Sequence, residues 1–140
     1  MNRFKLGGIL AVVACGAVLP ALAHHSFAMF DQTRQVSLKG TVIEFQWTNP
    51  HAFIHLEVPA GDPLAGVWDI ELNSPNNLKR QGWKSTSLKP GDKVTLVANP
   101  LRDVTKKGGL FITVTLADGT MLGIPSTGPI NVPTPTPATP

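Results

Sequence analysis

Cysteine is all but missing from this sequence: Cys15 is the only one in 140 residues. It lies within the apolar leader described below, so residues 24–140 hold no thiol. That excludes a disulfide-stapled scaffold and a cysteine nucleophile, and leaves the domain to be held by its core alone. Charge is also sparse, at 15% of residues. The whole chain carries 12 Lys+Arg against 9 Asp+Glu, a formal +3. Arg3 and Lys5 precede residue 24 and no acid does, so the rest of the chain balances at 10 − 9 = +1. A nearly neutral domain lacks the basic surface of a nucleic-acid binder. Beyond residue 23 no run approaches the roughly 20 apolar residues of a transmembrane span.

What is present first is an export signal. Arg3 and Lys5 form a positive start, Leu6 to Leu19 is apolar and uncharged, and Ala21-Leu22-Ala23 is a small-x-small cleavage site. Pro20 ends the signal helix just ahead of that site. Leu6 to Ala23 is 18 residues long and is interrupted by Gly7, Gly8, Gly16 and Pro20, which suits a cleaved signal better than a retained anchor. The expectation is a signal peptide over 1–23 and a periplasmic or secreted mature chain beginning His24-His25-Ser26. An alternative is Val12-Val13-Ala14-Cys15-Gly16 read as a lipobox, with the protein anchored through a lipidated Cys15.

The mature chain reads as an N-terminal arm (24–35), a β-domain (36–124) and a Pro/Thr-rich tail (125–140). Phe27, Met29 and Phe30 give the arm side chains with which to dock. Val36 to Trp47 is rich in β-branched and aromatic residues, with Gly40 in its middle, which predicts a long strand bent or bulged at the glycine. Residues 51–58 alternate, with Ala52, Ile54, Leu56 and Val58 on one face and His51, Phe53, His55 and Glu57 on the other. Residues 67–72 alternate again, with Trp68, Ile70 and Leu72 inward. Ser74-Pro75 is an N-cap followed by a proline suited to the first helical position, and Gly82 is a stop. Strands follow at 93–98 and 110–116, with a loop over 99–109 between them. Asp118-Gly119 is a hairpin turn leading to a short return strand at 121–124. The tail has no side chains with which to build a core and is expected to be extended and without fixed structure. Three strands, a short helix and two or three more strands predict an all-β, OB-fold-like antiparallel barrel of five to six strands, its helix between strands 3 and 4. An open antiparallel sheet or small sandwich is the alternative.

Several phrases then stand out: Ala23-His24-His25-Ser26-Phe27, Gly40-Thr41-Val42-Ile43-Glu44-Phe45, Trp47-Thr48-Asn49-Pro50-His51, Trp68-Asp69-Ile70-Glu71, Gly82-Trp83 and Ser87-Leu88-Lys89-Pro90-Gly91-Asp92. Together they resemble a family of small exported bacterial proteins of unknown function, over about residues 23–122. The resemblance implies secretion and a compact β-domain, and brings no catalytic residues with it.

All four histidines, His24, His25, His51 and His55, fall early in the mature chain. Cleavage after Ala23 would leave His24 with a free α-amine beside its imidazole, an arrangement that resembles the histidine brace of secreted copper proteins. Amine and imidazole nitrogens suit Cu(II), and Met29 offers a softer ligand for Cu(I). The residues require no cofactor, and copper is the one they could hold. His51 and His55 stand four residues apart on a strand, roughly 13 Å, so at most one of them joins such a site. A second expectation is a non-catalytic binding module in which Phe45, Trp47, Phe53 and Trp83 hold a peptide, a glycan or an apolar small molecule, or a periplasmic protein partner. Trp68 and Trp83 read more simply as core. Enzyme readings are weaker: Asp69 and Glu71 are an outward pair best explained as a solvated sheet face, and Asp103 beside Arg102 is a loop ion pair. Neither Gly-rich segment has the context of a phosphate loop.

Overall fold

The computed structural model describes residues 27–123. The expected signal peptide, His24-His25-Ser26 and the Pro/Thr-rich tail lie outside them. A 3-10 turn at Phe27–Met29 leads into β1 (Val36–Gln46), β2 (Phe53–Val58), β3 (Gly66–Glu71), α1 (Pro75–Arg80), β4 (Lys93–Pro100), β5 (Gly108–Leu116) and β6 (Met121–Gly123).

β1 is long enough to serve two neighbours. Val36 to Thr41 pair antiparallel with β4, and Thr41 to Gln46 with β2. Gly40 sits where the strand changes partner. A Cβ there would stand 2.4 Å from the Glu57 carbonyl oxygen, so glycine is needed for close approach. The bulge expected at this glycine lies further on. Val42 opposes Leu56 and Glu44 opposes His55, which leaves Ile43 as the extra residue. The bulge shifts the inward phase by one: Leu38 and Val42 are buried before it and Phe45 after it, while Ile43 is exposed.

β2 and β3 form a plain antiparallel pair, as their alternation predicts. Ile54, Leu56 and Val58 face Trp68 and Ile70 in the core. Each fully buried aliphatic side chain of this kind contributes about 1.5–3 kcal/mol of transfer free energy. The buried indole of Trp68 donates through Nε1 to the Leu64 carbonyl oxygen at 2.8 Å. The Ser74 side chain caps α1 by accepting from the Asn77 amide at 3.4 Å. At the other end Gly82 adopts φ +89°, and the amides of Gly82 and Trp83 donate back to the carbonyls of Lys79 and Leu78. That reversal turns Trp83 into the core beside Leu78 of the helix.

The sheet order is β3-β2-β1-β4-β5-β6, and β3 also pairs with β5 in parallel, through Asp69 with Gly108, Ile70 with Gly109 and Glu71 with Leu110. That last pairing closes five strands into an OB-fold-like barrel, with β6 outside it. It decides against the open sheet. The loop between β4 and β5 is shorter than the 99–109 expected, because both strands extend to make this seam. The arm docks through Phe30, which is buried and bridges to Leu101. No helix among the described residues is long and apolar enough to cross a membrane.

Candidate functional site

The outer face of β2 and β3 gathers most of the titratable side chains that the strand alternation turns away from the core. His51 precedes β2 in the turn of residues 47–52, whose Asn49–Pro50 peptide is cis. The Ala52 amide donates to the Asn73 carbonyl at 3.2 Å and that of Leu72 to Ala52 at 2.8 Å, so the pairing carries His51 alongside the sheet. His51 Nδ1 donates to Glu71 Oε1. One register step on, His55 Nδ1 donates to Asp69 Oδ1 at 2.6 Å. His55 Nε2 lies 3.3 Å from the Gln46 side-chain amide, whose NH2 end is the one able to donate to it, so this second group spans three strands. A carboxylate only accepts, which puts the proton on Nδ1 in both rings and turns Nε2 away from the acid. Phe53 stands between the two histidines, its ring 6.4 Å from that of His55 and nearly parallel to it.

Beside these residues runs a cleft of about 600 Å³. Phe53, Val67, Asp69 and Glu71 line it from the sheet; Leu101 and Thr105 to Lys107 line it from the β4–β5 loop. Met29 and Phe30 complete it from the arm. The loop and arm are held together by main-chain bonds: the Asp31 amide donates to Pro100 at 2.8 Å and the Arg102 amide to Met29 at 2.9 Å. The Arg102 side chain donates through Nε to the Ala28 carbonyl at 2.9 Å. This corrects the expected loop pair: Asp103 meets Lys106 at 3.7 Å, and Arg102 serves the arm.

Of the metal-ligand candidates, His51, His55 and Met29 lie on or beside this face, and His24 and His25 lie outside the described residues. Among the described residues no group of three or more His, Cys, Asp or Glu side chains gathers around a point that could hold an ion. Of the aromatic candidates, Phe45 and Trp83 are buried, in a largely edge-to-face run of rings, Trp47, Phe45, Trp83 and Phe111, with successive centroids 5.3, 5.9 and 5.4 Å apart. Trp47 and Phe53 keep exposed surface. Sequence reasoning missed Asp69, Glu71 and Gln46 as histidine partners. The signal that could have found them is the shared outward phase of the two alternating strands, once paired.

No curated protein and no solved structure matches this chain. Residues 11–111 match a family of unknown function, DUF6152. That span covers most of the chain, and the protein belongs to the DUF6152 family.

Proposed function

We propose that the processed protein is a non-catalytic binding domain of the cell envelope that takes one copper ion at its N-terminus. Export and cleavage after Ala23 create the first two ligands, the α-amine and the imidazole of His24. His51 supplies a third nitrogen through Nε2, with His25 the competing choice. Glu71 keeps the proton on Nδ1 and holds the ring, the role carboxylates take behind metal-ligating histidines. His55, engaged by Asp69 and Gln46, stays with the sheet.

The observation that carries this reading is the docking of the arm. Met29 of the docked arm and Glu71, the carboxylate that holds His51, line the same cleft. His24 lies three positions before Phe27, a reach of about 10 Å in extended chain. Met29 adds a thioether beside the site, suited to the reduced ion.

Titration of Cu(II) into the processed protein, into a form with one extra N-terminal residue and into His51→Ala tests the reading. One equivalent is expected to bind the processed protein, at least about tenfold more tightly than either variant (about 1.4 kcal/mol). Equal affinity for the extended form, or no tight binding at all, refutes it. Lipidation at Cys15 would also remove the amine, and intact mass of the exported protein reports it.

A further inference from the structure

We propose a second, metal-independent function for the cleft beside the histidines: it binds an uncharged oligosaccharide. The cleft, about 600 Å³, falls in the range of ordinary ligand sites. It lies between the β2–β3 face and the β4–β5 loop, the surface that OB-folds use for oligosaccharides and oligonucleotides. Its chemistry separates these. Asp69 and Glu71 line it together with Lys106 and Lys107, two acids against two bases. A polyanion would meet both carboxylates and gain little, so single-stranded nucleic acid is disfavoured. A peptide strand would need an open sheet edge, and at Asp69 to Glu71 β3 is already paired with β2 on one side and β5 on the other.

A neutral sugar chain fits what remains. Its hydroxyls donate to the carboxylates and accept from the ammoniums, so the balanced charges serve it without a net field. Its apolar C–H face packs on an aromatic platform, and Phe53 supplies one within the cleft. Phe53 is only half-buried, which leaves ring surface for such a contact.

The test is an NMR titration of the isotope-labelled processed protein, in EDTA, with N-acetylchitohexaose, maltohexaose, a thymidine hexanucleotide and an unrelated hexapeptide. At least one oligosaccharide is expected to shift amides of residues 67–71 and 105–109. Phe53→Ala and Asp69→Asn are each expected to weaken that binding at least about tenfold, and Lys39→Ala, outside the cleft, to leave it unchanged. Native-like spectra of the exposed Asp69→Asn variant keep the test valid if Phe53→Ala misfolds. No response to either oligosaccharide, equal binding by Asp69→Asn, or a response only to the nucleotide or peptide overturns the proposal. EDTA separates this outcome from that of the copper reading.

Discussion

Three aspartates answer to the same local chemistry: each holds the threonine two residues on. Asp31 accepts from the Thr33 hydroxyl at 2.6 Å, Asp103 from that of Thr105 at 2.6 Å, and Asp118 from the Thr120 amide at 2.8 Å. These bonds favour the ionised form, so all three carboxyls titrate below the ordinary 3.8. For Asp103 the Thr105 hydroxyl is the main cause and its amide the next. A depressed carboxyl stabilises the fold above the unfolded value and loses that contribution as pH falls through the folded one. The window therefore opens near pH 3.8 and extends downward. Thr105→Val is expected to raise the Asp103 midpoint toward 3.8 in a carboxyl-detected NMR titration, while Asp31 and Asp118 stay where they are. At the same scale the histidine–carboxylate pairs show what residue types alone conceal. Asp69 and Glu71 look like a solvated pair until Phe53 is known to oppose Glu71 and His55 to oppose Asp69.

Elements with a strong period were legible and their irregularities were not. The outward phase of Phe53, His55 and Glu57 followed from alternation, and the limits of α1 from Ser74, Pro75 and Gly82. Of the bend or bulge expected at Gly40, the bulge lies at Ile43 instead, because a glycine in a strand also signals a close approach, which Gly40 makes to the Glu57 carbonyl. The arm is the instructive case, since its sequence has no period. What docks it is one buried ring, Phe30, with main-chain bonds to Pro100 and Arg102 and side-chain bonds from Asn99 and Arg102 to arm carbonyls, none of which a hydrophobic pattern announces. Phe30→Ala is expected to cost about 3 kcal/mol, read as a lower urea midpoint. The amides of Asp31 and Arg102 should then exchange faster relative to those of β1 and β2. If the arm merely rested on the barrel, stability and both amides would be unchanged.

At the scale of the whole molecule, closure and the candidate site share one seam. The order of strands and helix made a barrel readable, yet the parallel pairing of β3 with β5 was not, because parallel register leaves no turn in the sequence to mark it. The strand residues of that seam, Asp69 to Glu71, include both carboxylates that hold the histidines. Its other strand opens with Gly108 and Gly109, where a Cβ would stand 2.7 Å from Leu101 Cδ1 and 2.9 Å from the Asn99 carbonyl oxygen respectively. The backbone contact at Gly109 cannot yield by a rotamer change, so the glycine is what lets β4, β5 and β3 meet. Gly109→Val is therefore expected to destabilise the domain by about 1–3 kcal/mol, through overpacking. For a domain of this size that lowers Tm by roughly 4–8 °C per kcal/mol. Because the strain falls on the seam, the same variant should move the amide resonances of Asp69 to Glu71 and the ring signals of His51 and His55. A lowered Tm with those signals unmoved would mean that the barrel can loosen at β4 without disturbing the face, and that closure and site are separable after all.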